Sequence, residues 1–298
     1  MDQLQAMRIF SRVAEQSSFT LAAEQMNLPR AGVTLAIQQL EKHVGARLLH
    51  RTTRKVTLTS EGAAYYDSCR RVLTEVDAAD ALFPSAYQSP RGPVRIDLPE
   101  RLARLKIVPA LDDFHAKYPD IELRISVTDR IVDMIDEGID CVVRVGELND
   151  SRLVAKRIGM LGQITAAAPS YLQRHGIPLT LDDLSRHAAV NFFSNRTRRD
   201  LDFEFEEAGV ARNIRMRGAV SVSSAEAGVA CCLAGLGIAQ APFNGLAGHI
   251  ERGELIRILA DYAVPPMPLS VVYGHQRHLA PRVRVFVDWV SALLSDVR

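Results

Sequence analysis

The chain of 298 residues contains no apolar run near the ~18 residues that a membrane-spanning helix needs. Its opening, Met1-Asp2-Gln3-Leu4-Gln5, has no basic segment ahead of an apolar run, so neither secretion nor insertion is expected and a cytoplasmic protein is predicted. Four cysteines, Cys69, Cys141, Cys231 and Cys232, fit no zinc spacing. They are expected as reduced, buried thiols, with a peroxide-type thiol switch as the alternative. His275 and His278 share a turn without a cysteine or carboxylate partner, and no metal is expected. Phosphate-binding glycines are missing as well. In Gly235-Leu236-Gly237, Gln240 stands where a third glycine belongs and the order is helix, glycine, strand, so the segment reads as a helix stop. No Gly-x-Ser-x-Gly elbow occurs, Ser223 or Ser224 with His187 is a pairing that sequence cannot test, and neither catalysis nor a cofactor is expected. Finally, neither charge sign dominates: Lys plus Arg number 36 against 35 Asp plus Glu, a formal net charge of +1, so any basic region must be diluted by another.

Such a region lies between Leu28 and Lys55, where Arg30, Lys42, Arg47, Arg51, Arg54 and Lys55 meet one acid, Glu41. A local excess of this kind suits phosphates. The pattern around it predicts helix, tight turn, helix and basic hairpin. Leu4, Met7, Phe10 and Val13 give one inward face to a helix over Leu4 to Ala14. Thr20 is expected to cap the next helix, with Leu21, Ala22, Gln25 and Met26 turned inward. Asn27 and Leu28 make the turn. Pro29 opens the third helix, whose buried stripe is Val33, Ile37, Leu40 and Val44, leaving its other face for a major groove. This order is a winged helix-turn-helix; the plain alternative is a solvated surface helix with scattered basic residues.

The segments Asn27-Leu28-Pro29-Arg30, Gln39-Leu40-Glu41, Gly45-Ala46-Arg47-Leu48-Leu49, Arg51-Thr52-Thr53-Arg54 and Leu58-Thr59-Ser60-Glu61-Gly62 resemble those of the LysR-type transcriptional regulators. The likeness covers essentially the whole chain and includes Asp97-Leu98-Pro99-Glu100-Arg101 and Arg282-Val283-Arg284-Val285-Phe286-Val287-Asp288-Trp289. It implies a sequence-specific DNA-binding regulator whose promoter activity responds to a small-molecule effector. Where the family usually places serine or threonine, arginine and a polar residue, this chain has Thr34, Leu35 and Ala36. Leu35 can touch a thymine methyl, while Arg30, Thr34 and Gln38 are the polar candidates. Thr20, Ala31, Arg51, Arg54 and Lys55 complete the expected DNA contacts.

From Thr59 onward Tyr65, Cys69, Val72, Val76, Ala79 and Phe83 keep heptad seam spacing on one long helix. A second subunit is expected to cover that seam, which pairs two recognition helices across dyad-symmetric double-stranded DNA; the alternative is packing against the chain's own first domain. The predicted boundaries are 1–59 for the DNA-binding domain, 60–84 for the coiled-coil linker helix, which Pro84 ends, and 85–93 for a hinge punctuated by Pro90 and Pro93.

Residues 94–298 alternate short apolar runs with helical patterns, an α/β signature. Strands are expected at Val94 to Leu98, Ile121 to Val127, Cys141 to Val145 and Leu269 to Tyr273. Helices are expected at Leu102 to Tyr118, onward to Gly138, from Ala225 to Ala234, and at Pro281 to Leu294. The resemblance implies a periplasmic-binding-protein-like domain of two subdomains, about 94–162 with 267–298, and 163–266. Ligands of such sheets sit beyond strand carboxyl ends. The effector candidates are therefore Pro99, Glu100, Arg101, Thr128, Asp129 and Arg144, faced by Phe193, Ser194, Ser223 and Ser224. Serines at a helix N-terminus with Arg101 or Arg144 suit a small carboxylate or aromatic acid, although a strand-end arginine equally serves as an ion-pair partner. Arg196, Arg198 and Arg199 beside Asp202, Glu204, Glu206 and Glu207 read as a solvated or internally paired loop. Dimers or tetramers are expected, with RNA polymerase a further partner; the competing reading is a C-terminal half that only oligomerises.

Overall fold

The computed structural model describes residues 2–51, 56–80, 90–147, 153–195, 197–274 and 279–295. The chain forms two compact units that divide after the long helix. In the first, α1 (Gln3–Gln16), α2 (Phe19–Gln25) and α3 (Arg30–Val44) precede a hairpin of β1 (Leu49–Arg51) and β2 (Val56–Leu58), then α4 (Ser60–Asp80). Asp2 caps α1 by accepting from the Leu4 and Gln5 amides. The inward face of α1 is Ala6, Ile9, Phe10 and Val13, whereas Leu4 is exposed, because the apolar stripe sits one position round from the one its first leucine suggests. The cap of α2 is Ser18, whose hydroxyl accepts from the Leu21 amide at 3.3 Å; Thr20 lies inside the first turn, exposed. Ala22 and Ala23 are the buried residues of α2, and Leu21 and Gln25 face out, so helix crossing depends on two alanines.

Asn27 takes φ 52°, a left-handed conformation that asparagine tolerates, and Pro29 is the extended residue preceding α3 rather than its first turn. Val33, Ile37 and Leu40 are buried, but Val44 is exposed at the C-terminal end. Glu41 holds the wing to α3: its Oε1 accepts from the Leu48 and Leu49 amides at 2.9 and 3.2 Å. Thr59 starts α4, accepting from the Gly62 amide at 2.8 Å while donating to the Arg47 carbonyl at 2.7 Å. The first seam positions are used within this unit, since Cys69 is fully buried in its core and Tyr65 packs on Phe10 at 5.7 Å between ring centres. Farther along, Val72 and Ala79 are exposed and Val76 half-buried; Phe83 lies outside the described residues, as do residues 85–89 of the hinge.

The second unit begins with β3 (Gly92–Leu98), followed by a helical run of α5 (Glu100–Leu102), a wide π-type turn over Ala103–Ile107, a tight turn over Val108–Ala110 and α6 (Leu111–Lys117). One regular helix was expected here; Pro109 has no N–H to donate and crowds the preceding turn, so the run is broken. After β4 (Ile121–Val127), residues 134–138 form turns instead of the expected helix. Asp133 accounts for this by accepting from the Ile135 and Asp136 amides at 3.0 and 3.1 Å, a local bond that competes with helix. Then come β5 (Cys141–Val145), β6 (Leu153–Leu161), β7 (Gln163–Ala167), α7 (Pro169–His175), β8 (Val190–Phe192), β9 (Phe203–Glu207), β10 (Val210–Ile214), β11 (Val220–Val222), α8 (Ala225–Leu233), β12 (Ala239–Pro242), α9 (Phe243–Glu251), β13 (Ile256–Ile258), β14 (Met267–Gly274) and α10 (Pro281–Leu294).

One five-stranded sheet has the order β4-β3-β5-β14-β6, with β3 parallel to β4 and β5, and β14 antiparallel to β5 and β6. It draws on both ends of this unit. The middle of the unit holds the sheet β12-β7-β13, the parallel pair β8–β11 and the hairpin β9–β10. Against the large sheet, α10 stacks Phe286 and Trp289 on Phe114, with ring centres 5.7 and 5.1 Å away. Gly235, at φ 72°, ends α8, as a helix stop should. The carboxyl ends of β3 and β4 face the first turn of α8, and there Glu100, Asp129 and Ser224 gather.

Candidate nucleic-acid interface and ligand cleft

On α3, Arg30, Ala31, Gly32, Leu35, Gln38, Gln39 and Lys42 are exposed, on the side away from Val33, Ile37 and Leu40. Thr34 is half-buried and its hydroxyl donates to the Arg30 carbonyl at 3.0 Å, so its proton is committed inside the helix. Thr34 keeps acceptor lone pairs and so stays among the polar candidates as an acceptor. Thr20, Ala31, Leu35 and Gln38 remain accessible, as does Arg47 beside the wing. Arg54, Lys55 and the Arg51 side chain lie outside the described residues.

The second site is a network between the five-stranded sheet and α8. Pro99 is buried and precedes α5, which brings Glu100 and Arg101 to the mouth of the sheet. Asp129, just past β4, accepts from the Glu100 amide at 3.1 Å with one oxygen and from the Ala225 amide at 2.7 Å with the other. Ser224 caps α8 by accepting from the Ala227 amide at 3.2 Å and donates to Glu100 Oε2 at 2.6 Å. Arg101 ion-pairs with Glu226 at 2.8 Å and donates to the Gly245 carbonyl; Arg104 reaches the other oxygen of Glu226 at 2.9 Å. A Cβ at Gly245 would stand 2.6 Å from Arg101 Nε, so any larger residue there requires the Arg101 side chain to shift. Burial pushes the Arg101 guanidinium downward in pKa, opposed by Glu226, and Nε has no hydrogen-bond partner among the described residues.

Arg144 makes the ion pair that a strand-end arginine offers as the alternative to a ligand contact. It pairs at 2.8 Å with Asp97, a carboxylate with 0% exposure, and donates to the Thr128 carbonyl at 3.3 Å. Ser126 donates to the same carboxylate at 2.6 Å, and the Thr128 hydroxyl lies 3.4 Å from both of its oxygens. Burial lowers the Arg144 pKa and Asp97 resists the shift. Thus Arg144 and Thr128 belong to a buried cluster around Asp97. Sequence reasoning missed Asp97, Glu226 and Gly245; an acid inside the apolar strand Val94 to Leu98 was the available signal for the first.

Phe193 and Ser194 are half-buried, with the Phe193 amide donating to Val222 at 2.8 Å and the Ser194 amide to Arg199 at 3.0 Å. Ser223 and Ser224 are half-buried, and His187 is engaged by the Tyr171 hydroxyl at 3.2 Å, not by either serine. Arg198 and Arg199 are exposed, as are Asp202, Glu204 and Glu206, while Glu207 pairs with Arg212 at 2.8 Å; Arg196 lies outside the described residues. A separate depression of about 400 Å³ over β3 and β4 is lined by Arg95, Ile96, Arg124, Ile125, Ser126, Glu137 and Ile139, none of them an effector candidate.

Residues 4–63 match the bacterial regulatory helix-turn-helix protein, lysR family, and residues 87–295 match the LysR substrate binding domain. The chain belongs to the LysR family. This LysR-type protein is 38% identical over 296 residues to the HTH-type transcriptional regulator YhjC of Escherichia coli (strain K12), covering 99% of each. It is 37% identical over 297 residues to an HTH-type transcriptional repressor of Pseudomonas aeruginosa (strain UCBPP-PA14), covering 99% of this chain and 93% of that one. The solved structure of CrgA, a LysR-type transcriptional regulator from Neisseria meningitidis, matches with a TM-score of 0.62 at 28% identity over 98% of this chain and 99% of that one. The LysR-type chain is therefore a non-enzymatic DNA-binding transcriptional regulator with an effector-binding domain. No helix among its described residues is long and apolar enough to cross a membrane.

Proposed function

We propose that this regulator works as a dimer on dyad-symmetric DNA and answers to a small carboxylate, aromatic acids included, that competes with Asp129 for the first turn of α8. The supporting observation is that Asp129 already sits there as a carboxylate, bonded to the Ala225 amide at 2.7 Å. An effector carboxylate offers the same chemistry and releases the ties from Glu100 and Asp129 to α8. The two subdomains then rearrange, and dimer packing carries the change to the spacing of the recognition helices, hence to DNA bend or polymerase contact. Val72 and Ala79, exposed on the seam of α4, are the proposed dimer contacts.

Calorimetric titration with a panel of small acids, acetate and benzoate among them, tests the reading. At least one acid binds saturably and raises the melting temperature. Asp129→Asn weakens the internal competitor from a charged to a neutral acceptor, worth about 1 kcal/mol, and so tightens acid binding roughly fivefold. An unchanged affinity in Asp129→Asn refutes the competition at Asp129, and a panel without any binder favours the reading of the C-terminal half as an oligomerisation domain.

A further inference from the structure

Leu35 is an apolar side chain, 54% exposed, at the centre of the basic surface of α3. It lies about 140–200° round the helix from Val33, Ile37 and Leu40, so it contributes nothing to the core beneath it. Its neighbours on that face keep a low profile: Ala31 is small, and at Gly32 even an added Cβ would meet nothing within 4 Å. The Thr34 hydroxyl beside it donates to the Arg30 carbonyl at 3.0 Å, which leaves only its acceptor lone pairs for a base edge. The surroundings favour DNA as its occupant. Arg30 and Lys42 of the same helix and Arg47 of the loop that follows it are exposed, and the one acid of this segment, Glu41, is turned to the wing amides at 2.9 and 3.2 Å.

We propose that Leu35, with Ala31 beside it, sets operator specificity by reading the C5-methyl group of a thymine in the major groove, a step of recognition that needs no hydrogen bond. Among the four bases only thymine presents a methyl group in that groove. Ala31 and Gly32 let the helix approach closely enough for Leu35 to reach it, while Gln38 and Gln39 on the same face stay free for polar base edges. This deepens the DNA-binding assignment and rests on it.

The test uses the full-length protein. Sites are enriched from a random duplex pool at low ionic strength, and within the enriched site each thymine is replaced singly by deoxyuridine, which deletes only the methyl group. Anisotropy titrations then compare wild type with Leu35→Ala and Leu35→Met, whose folding is verified by unchanged melting. One thymine per half-site is expected to lose about fourfold in affinity on demethylation with wild type, the value of one buried methyl-sized group. The same replacement costs Leu35→Ala nothing and Leu35→Met nearly the full factor, while other thymines behave alike in all three proteins. Equal losses for wild type and Leu35→Ala at every thymine, or no loss anywhere, overturn the proposal. A pool from which wild type enriches no sequence overturns the DNA-binding assignment itself, a different failure.

Discussion

Replacing Arg144 by Met separates a structural arginine from a ligand-binding one. Methionine keeps the aliphatic stem and removes the guanidinium that pairs with Asp97 at 2.8 Å. Asp97 has 0% exposure and cannot turn to water, so the variant leaves its carboxylate with the Ser126 hydroxyl at 2.6 Å and the longer Thr128 contact. One hydroxyl does not replace a cation. Breaking a buried pair by deleting one partner costs about 3–5 kcal/mol, because the remaining charge stays desolvated. In a unit of this size each kcal/mol moves Tm by roughly 2–4 °C, so the larger unit should melt about 6–20 °C lower. Scanning calorimetry of the full-length protein reads that shift.

A double variant, Asp97→Val with Arg144→Met, gives the control. It removes both charges, and replacement of a buried pair by apolar residues is often neutral, so most of the lost stability should return. If Arg144→Met instead melts within 2 °C of wild type and abolishes the response to every acid that wild type binds, Arg144 is an effector contact and the buried-cluster argument is refuted.

Gly62→Ala should cost more than about 2 kcal/mol and weaken DNA binding, because its Cβ would lie 1.9 Å from the Leu48 carbonyl oxygen where the wing meets α4; an unchanged Tm refutes the clash. At pH 8 the native thiols of Cys69 and Cys232 should resist iodoacetamide, since burial pushes them up to about 11 and about 12, and buried Cys141 is likewise raised; labelling of any of the three at the rate of a free thiol contradicts this. His187 is held below the ordinary histidine value by burial first and by His175 second, so the unfolded chain binds its proton at higher pH than the folded one. Stability contributed by neutral His187 is accordingly present above about pH 6.5 and falls as the pH drops below it. Chemical denaturation at pH 7.5 and 5.5 should show a smaller loss for His187→Gln than for wild type, and equal losses would remove His187 as a cause.

The first unit was largely legible because local pattern decides it. Helical periodicity located α1 and α3, and the basic excess located the wing. Errors arose where one residue competes with a neighbour for the same job: Ser18 rather than Thr20 caps α2, and Ser18 is the residue with extended backbone at that point. The seam of α4 was legible as a seam, but its first positions, Tyr65 and Cys69, find cover on Phe10 and the rest of the small core. Heptad spacing reports that a helix buries one stripe, not which surface covers it.

In the second unit the strand-end rule names Glu100, Arg101, Asp129 and Ser224, which meet in one network, while the ion-pair partners of its arginines come from far along the chain. Arg101 and Glu226 are 125 positions apart, Arg144 and Asp97 47, and nothing in local spacing links them. Physical chemistry nevertheless limits the outcome: a cation withdrawn from water needs an anion or a carbonyl within hydrogen-bond reach, and a helix N-terminus exposes amides that need an acceptor. The chain meets both demands from its own carboxylates, Asp129 and Glu100 at α8 and Glu226 at Arg101. On the proposed function, a cleft satisfied in this way discriminates by exchange. An entering acid gains only the difference between its own bonds and those of Asp129, which holds affinity low and makes selectivity depend on the rest of the ligand. Asp129→Asn should therefore tighten many acids together, whereas a change at half-buried Phe193 should reorder them, and competition titrations with a matched aliphatic and aromatic pair measure the two effects separately. Tightening of one acid alone in Asp129→Asn would mean that Asp129 touches the ligand instead of competing with it.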